Sequence, residues 1–514
     1  MEKNIRKLMM VVAIIATAIA LRFAFEYAYR LLNEITRITP LIGFSIRTLF
    51  VMLVVAIWLT ITVRSENAYQ KLPWLLILIV EPLVGIFLYF SMGRSFKNSF
   101  RYKNRPKIHD FSYITQEQTP QEIIYPESID PQVKEIFQAA HHITYHPPYF
   151  NSTKQTLLNN GETFYPDLLK ELNAAKDFIL MEFFIVASDT RGREVLDLLM
   201  EKASQGITVK LIYDALGSNR RMKNSYVKKI KASQIDFVIN DPIYFPFFNT
   251  RVNYRNHRKI IVIDGVIGYT GGMNLADEYD NSIAYDYFFR DAQIKLEGEA
   301  VSSLTTIFFK DYYYNTNHFI NSSRYFPKKH IPSKGITQIL QSGPDSDEAF
   351  IRNIYLKMIY NAKKSIKIMT PYMALDQEML TALKTASLSG LKVDIIIPGT
   401  PDKILVYKVT KYYASVLAEH GVNVYKYTKG FAHAKILIVD DDIASVGSYN
   451  LDNRSAVIDF EVTALLHGDV VNEIVESFNQ DIKDATQVEP RTWQKRPFTV
   501  KLIEGILSIF TPII

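Results

Sequence analysis

Cysteine is absent from the 514 residues. That excludes disulfides, thiolate metal sites and cysteine nucleophiles, and leaves the compartment open. Low-complexity stretches are also missing: Gly and Pro number 21 each and 48% of residues are hydrophobic, so the composition is that of a packed chain. Acidic residues are scarce at the N-terminal end, where residues 1–107 hold 5 Glu against 15 Lys/Arg, net +10 within a whole-chain charge of +6. The remainder is therefore −4. A nucleic-acid enzyme carries its basic surface on the body of the fold, and this chain does not. Its positive charge lies beside apolar segments, as suits contact with anionic lipid headgroups.

Those apolar segments run from about Leu8 to Phe25, from Leu41 to Val63, and from Pro73 to Met92. About 20 helical residues cross the roughly 30 Å hydrocarbon core. No small-x-small cleavage site follows the first segment, so it reads as an uncleaved anchor rather than a signal peptide. The third carries Glu81-Pro82 at its middle, an acid that is costly in lipid and a helix breaker, which makes a half-inserted hairpin an alternative to a span. The basic run Arg94, Lys97, Arg101, Lys103, Arg105 and Lys107 expects the body on the cytoplasmic side. With Lys3, Arg6 and Lys7 wanting the same side, two spans plus a re-entrant segment satisfy both ends. The tail, Trp493 to Ile514, reads either as an amphipathic interfacial helix or as a terminal helix docked on the body.

What the body does contain is a repeat. His257-Arg258-Lys259, then Asp264, then Gly271-Gly272-Met273-Asn274, matches His433-Ala434-Lys435, Asp440 and Gly447-Ser448-Tyr449-Asn450 position for position at an offset of 176. Before each copy lie the same elements. Helix Tyr165–Ala175, strand Phe178–Phe184, helix Arg193–Ser204 and strand Lys210–Tyr213 are expected in the first half. Helix Glu348–Ala362, strand Ser365–Met369, helix Gln377–Ser389 and strand Asp394–Ile397 are expected in the second. The fold class is α/β, a duplicated domain whose halves meet across a pseudo-twofold axis, preceded by a helical membrane region. The expected divisions are 1–107 anchor, 108–335 first half, 336–485 second half and 486–514 tail.

Two His/Lys pairs are what metal-free phosphodiester chemistry needs. One neutral imidazole attacks phosphorus while the other, protonated, serves the leaving alcohol, near neutrality. His257 with Lys259, and His433 with Lys435, sit two apart, so extended backbone points each pair to one face. The Gly271-Gly272 and Gly447-Ser448 pairs allow close backbone approach, and Asn274 and Asn450 can donate to phosphate oxygens. Asp264 and Asp440 complete the motifs and are carried with the catalytic set. Strand parity nevertheless turns them away from the pocket and reads them as structural. Each His needs a carboxylate on its far nitrogen, for which Asp291 and Glu461 are the candidates. His141, His142 and His146, beside Pro147-Pro148, read as a loop rather than a metal site. Tyr244 to Phe248 reads as loop core or as a lip for acyl chains.

The paired H-x-K-x4-D-x6-G-[GS]-x-N spacing resembles the phospholipase D superfamily. Ser342-Gly343-Pro344-Asp345, Thr370-Pro371-Tyr372, Asn450-Leu451-Asp452-Asn453-Arg454-Ser455 through Glu461, and the N-terminal apolar segments narrow it to bacterial cardiolipin synthases of that type. The resemblance implies a phosphatidyl-histidine intermediate and no metal or other cofactor. It implies His257 and His433 as the catalytic pair, with His257 the nucleophile by analogy. Lys259, Lys435, Asn274 and Asn450 become phosphate ligands and Glu461 the orienter. It further implies phosphatidylglycerol as donor and acceptor, glycerol as the released alcohol, a membrane setting and no nucleic acid. Tyr372-Met373-Ala374-Leu375-Asp376 lacks the proline usual in the family, which puts the acceptor-side loop in question. A hydrolase, a transferase to another alcohol and an inactive membrane scaffold are the competing readings.

Overall fold

The structure is a computed structural model that describes residues 40–63, 68–90, 123, 125–127, 129–242, 253–320, 322–346 and 348–511. The chain forms two compact units, Met1–Tyr89 and Phe90–Ile514. The expected first apolar segment, the basic run after Met92 and the aromatic run Tyr244–Phe248 lie outside the described residues.

In the first unit one helix, Pro40–Val63, includes Phe44–Val63, 20 residues with mean hydropathy 2.3 and only 12% buried. At 1.5 Å per residue that is about 30 Å, long enough to cross a membrane. The next helix, Ala68–Val80, stops at Glu81 (φ −141°, ψ 82°), and Pro82–Leu88 restarts beyond it. Pro82 cannot donate an N–H and pushes Glu81 out of the helical region. The chain then turns back on itself. A Cβ on Gly85 would lie 2.9 Å from Leu78 Cα, and the Trp74 and Tyr89 rings meet edge-on at 6.3 Å. The third apolar segment is thus a helical hairpin, and neither arm, at 13 and 7 residues, is long enough to span.

The second unit is built from two sheets of matching design. Its first part supplies β1 (Tyr149–Phe150), β2 (Thr153–Asn159), β3 (Phe178–Phe183), β4 (Thr208–Asp214), β5 (Asp236–Asn240), β6 (Ile260–Ile263), β7 (Ile267–Gly271), β8 (Phe288–Arg290) and β9 (Ala292–Gly298). The second part supplies β10 (Gly335–Ser342), β11 (Ser365–Met369), β12 (Met373–Ala374), β13 (Lys392–Pro398), β14 (Asn423–Tyr427), β15 (Gly430–Ala432), β16 (Ile436–Val439), β17 (Ile443–Gly447), β18 (Leu451–Asp452), β19 (Glu461–Gly468) and β20 (Ala485–Gln487). One sheet runs β2-β9-β7-β6-β3-β4-β5. The other runs β10-β19-β17-β16-β11-β13-β14, flanked by β1 and β20. In both, the β3-β4-β5 and β11-β13-β14 triplets are parallel and the remaining core pairs antiparallel. Mixed α/β sheets, duplicated, are what the repeat predicted.

The central strands β6 (IIVI) and β16 (ILIV) are buried along their whole length, as β-branched runs covered on both faces should be. One apolar core joins residues of both sheets, among them Val262, Ile294, Ile438 and Ala464, with Leu304 and Phe308 of the helix Val301–Thr316 and Ile474 and Phe478 of the helix Asp469–Lys483. Two further cores lie under the outer helices of each half. The helix Pro131–Thr144 precedes the first half in sequence yet packs Val133, Ile136 and Phe137 into the second-half core, and β1 pairs with β10. That helix corrects the loop expected around His141 and His142: Asp130 caps it, Pro131 starts it and its apolar residues recur at helical spacing. The first-half helix begins at Asn160, ahead of the expected Tyr165. Asn160 N donates to Asp291 O at 2.9 Å and Gly161 abuts the Tyr279–Asp280 backbone, so tertiary contact overrides a turn-like Asn-Asn-Gly.

Candidate active site

Each His/Lys pair lies in the extended segment that leads into a central strand, β6 for His257 and Lys259, β16 for His433 and Lys435. Each segment is stitched by backbone bonds to the opposite half. His257 N donates to Phe460 O at 2.9 Å, and Phe460 N donates back to Arg255 O at 2.9 Å. His433 N donates to Arg290 O at 2.7 Å, where β8 and β15 pair in parallel across the halves. The residue after Phe460 is Glu461 and the residue after Arg290 is Asp291, so the stitch delivers a carboxylate to each ring. His257 Nδ1 lies 3.0 Å from Glu461 Oε1, and His433 Nδ1 lies 2.6 Å from Asp291 Oδ2. The orienters are therefore exchanged: each histidine is held by the other half's carboxylate. With Nδ1 occupied, Nε2 is the ring nitrogen available for chemistry.

The carboxylates are themselves fixed. Ser455 Oγ donates to Glu461 Oε1 at 2.8 Å and Ser448 Oγ donates to Oε2. Gly272, the counterpart of Ser448, leaves room for Asp291, since a Cβ there would sit 2.9 Å from Asp291 Cγ. Lys259 Nζ reaches back to His257 O at 2.6 Å. Lys435 Nζ donates to His433 O and lies 3.0 Å from His433 Nε2.

Matches to known proteins give the family and the fold. A profile described as "Cardiolipin synthase, PLD-like domain" matches residues 168–283 and 355–483, one block in each half, and one described as "Phospholipase_D-nuclease N-terminal" matches 51–94. "Cardiolipin synthase" of Geobacillus sp. (strain WCH70) is 35% identical over 464 residues, covering 90% of this chain and 92% of its own length. "Cardiolipin synthase 2" of Bacillus anthracis is 34% identical over 460 residues, covering 88% of each. The chain belongs to the cardiolipin synthase family. A solved structure of phosphatidylserine synthase from Haemophilus influenzae Rd KW20 shares the fold, with TM-score 0.56, 16% identity and coverage of 74% of this chain and 100% of that one.

Within this family fold the motif members do different things. Asp264 and Asp440, carried with the catalytic set through the motif, are corrected to structural staples. Asp264 accepts from the backbone N of Lys176, Asp177 and Phe178 at 2.8 to 2.9 Å. Asp440 accepts from Lys363, Lys364 and Ser365 N and from Gln132 Nε2, at 2.6 to 3.0 Å. Both oxygens of each are spent at the far end of the strand from the histidine. The two Asn also differ. Asn274 is engaged inside the protein, donating from Nδ2 to Tyr279 OH at 2.6 Å and accepting at Oδ1 from Ile185 N at 3.1 Å. Asn450 is 5% exposed and its Oδ1 has no partner among the described residues.

Burial drives His257 well below the ordinary imidazole range, with Lys259, Lys435 and His433 adding to the effect. Burial and Lys435 lower His433 too, against the opposing pull of Asp291. Burial brings Lys259 down to about 7 and Lys435 to about 8. It raises Glu461 to about 7, whereas at Asp291 the His433 and Lys435 charges outweigh burial and keep the carboxyl below its usual value. Groups from both halves thus feel one another as one electrostatic unit. Among the described residues no cluster of three or more His, Asp or Glu is arranged to hold a metal ion.

Sequence reasoning missed several supports. Ser448 stood in the motif only as a small residue beside Gly447, and Ser455 in the flanking run; the bonds of both hydroxyls to Glu461 were missed. Phe184 packs edge-on to the His257 ring at 4.9 Å, and Tyr279 to His433 at 5.4 Å. Arg258, fully buried between the two catalytic positions, pairs with Asp311 and donates to Gln341 Oε1 and to Glu461 O, both at 3.2 Å. Its neighbour Asn256 donates to Glu182, whose pKa burial and Asp311 raise well above normal. Contiguous motif letters hide these contacts because they come from strands distant in sequence.

Proposed function

We propose that the protein is a membrane phosphatidyltransferase that makes cardiolipin and glycerol from two phosphatidylglycerol molecules. The observation that carries this is the exchanged pair of buried His–carboxylate units beside two buried lysines. His257, pushed furthest toward the neutral form, is the nucleophile: its Nε2 bonds to phosphorus as the phosphorus–glycerol oxygen bond breaks. His433, facing an ionised Asp291, is the acid that protonates the departing glycerol oxygen. It then takes the proton from a glycerol hydroxyl of the second phosphatidylglycerol, whose oxygen displaces His257 from phosphorus. Lys259 and Lys435 hold the charge on the nonbridging oxygens, and Asn450 joins them by donating from its amide Nδ2. Asn274 acts instead through Tyr279, holding the wall behind His433. A pseudo-twofold axis between the halves accounts for the reciprocal geometry.

Purified full-length protein with phosphatidylglycerol alone tests the reading. Cardiolipin and glycerol in equal amounts are expected, and phosphatidic acid as the main product would make it a hydrolase. His257→Ala and His433→Ala should each abolish product, and EDTA should leave turnover unchanged. We also propose a multi-pass protein with its body on the cytoplasmic face, the helix Pro40–Val63 spanning and the Glu81 hairpin half-inserted. With no native cysteine, a single Lys170→Cys in intact cells reports the side. Labelling by an impermeant maleimide would overturn the placement.

A further inference from the structure

The helix Phe498–Ile509 is amphipathic the wrong way round for a docked terminal helix. Its inward face carries Glu504, 1% exposed, which accepts from Arg496 Nη1 at 2.7 Å and lies 3.6 Å from Lys411 Nζ. Thr511 beyond it is buried against Tyr413 OH at 3.1 Å, and Leu507 packs on the second-half core. Its outward face is Phe498, Leu502, Ile503, Ile506 and Ile509, exposed by 43 to 75%. Spacings of three and four place them on one side. The helix Ile404–Ala418, against which it packs, begins with Ile404 and Leu405, themselves 55% and 60% exposed.

We propose that this face is a second membrane contact, in which the C-terminal helix and the head of the helix Ile404–Ala418 lie in the interface of an anionic bilayer at the rim of the catalytic pocket. Charge selects this occupant. From Arg491 to Thr511 the exposed charges are Arg491, Lys495 and Lys501, all basic, while the one carboxylate is turned inward and neutralised. A second copy meeting this face about a twofold axis would set like charges together, whereas anionic headgroups complement them. The location follows from Asp402 and Lys403, just before Ile404: Asp402 accepts from Tyr372 OH, Lys403 lies 4.8 Å over the Tyr372 ring, and Tyr372 packs on the core that holds Tyr279 and Phe431, whose rings flank His433. The head of the helix Ile404–Ala418 is therefore joined to the wall of the histidine site through Tyr372.

The absence of cysteine makes the test direct. A single Ile506→Cys in the full-length chain, carrying a fluorophore, is reconstituted in phosphatidylglycerol-containing vesicles. Glu201→Cys on the outer helix Thr190–Ser204 is the control. Acyl-chain nitroxide lipids should quench the probe at 506 and not at 201, and aqueous iodide the reverse. Equal iodide access at both sites overturns the proposal. So does protection at 506 without lipid quenching, which would mean that a second copy or another segment of this chain covers the face; dilution separates those two. Leu502→Ser with Ile506→Ser should lower turnover on vesicles about tenfold, roughly the loss of two partly buried aliphatic side chains, and leave turnover of monomeric short-chain phosphatidylglycerol unchanged. Wild-type turnover on vesicles would also overturn it. The activity arm rests on the phosphatidyltransferase reading; the quenching arm does not, so the two can fail separately.

Discussion

Gly272→Ala is the sharpest perturbation the site offers, because it adds one methyl group and touches no reacting atom. The new Cβ would fall closest to Asp291 Oδ1, well inside contact distance, and would lie 2.9 Å from Cγ and 3.0 Å from Oδ2. Carbon atoms rest about 3.5–4.0 Å apart, so the carboxylate must retreat by about 1 Å. It has little freedom to do so: Asp291 N is tied to Asn160 Oδ1 at 3.1 Å and Oδ1 to Ala292 N at 2.8 Å. The same shift stretches the 2.6 Å bond to His433 Nδ1 to about 3.6 Å, beyond hydrogen-bonding distance. A misplacement of that size at a catalytic group costs about a hundredfold, or about 2.7 kcal/mol of transition-state stabilisation. The assay is kcat/KM for cardiolipin formation in vesicles across pH, with the Tm of each variant as the folding control. Without Asp291 the acid form of His433 is lost at lower pH, so the alkaline limb of the profile should move down. Ser448→Ala, in the matching position, removes one of two hydroxyls from Glu461 and should cost only about tenfold. Gly272→Ala retaining more than half of wild-type kcat/KM, with an unmoved profile, would refute the reasoning.

The two lysines give a second expectation. With Lys259 at about 7 and Lys435 at about 8, raising pH removes the positive charges that hold phosphate, so kcat/KM should fall through that interval. Lys259→Arg should move the fall to higher pH in a pH–rate series. Asp264→Ala removes three backbone caps, worth about 2–4 kcal/mol together; Tm of the purified protein should drop by several degrees while kcat of the folded fraction stays within about threefold of wild type. Arg258→Met strands the buried Asp311 carboxylate without its cation. A loss of about 3–5 kcal/mol is expected, read as a fall in folded yield from membranes, and normal yield with normal Tm would contradict it.

The duplicated α/β plan was legible because its signals are local: apolar runs such as IIVI and ILIV, helical spacing between them, and one offset shared by five motif positions. Strand parity alone also turned Asp264 and Asp440 away from the pocket, even while the motif counted them in. The pairing of each histidine was not legible. Glu461 follows the second motif and Asp291 the first, and nothing in linear order says that the chain crosses them. Burial was equally silent, and it is burial that lowers Lys259 and raises Glu461. Glu81-Pro82 left span and hairpin both open, and the fold decided through the close approach at Gly85. Of the two tail readings the fold shows the docked one, with an apolar face left outward.

The exchange of carboxylates has a consequence for heredity. Tandem repeats in a gene normally repair and homogenise one another by copying one tract over its sister. Here such a copy would place serine where only glycine clears Asp291. The repeats have become lock and key for each other's partner, so neither can be overwritten from its twin, nor shed to leave a working remnant. A fusion that began as two copies of one part has become a single heritable unit.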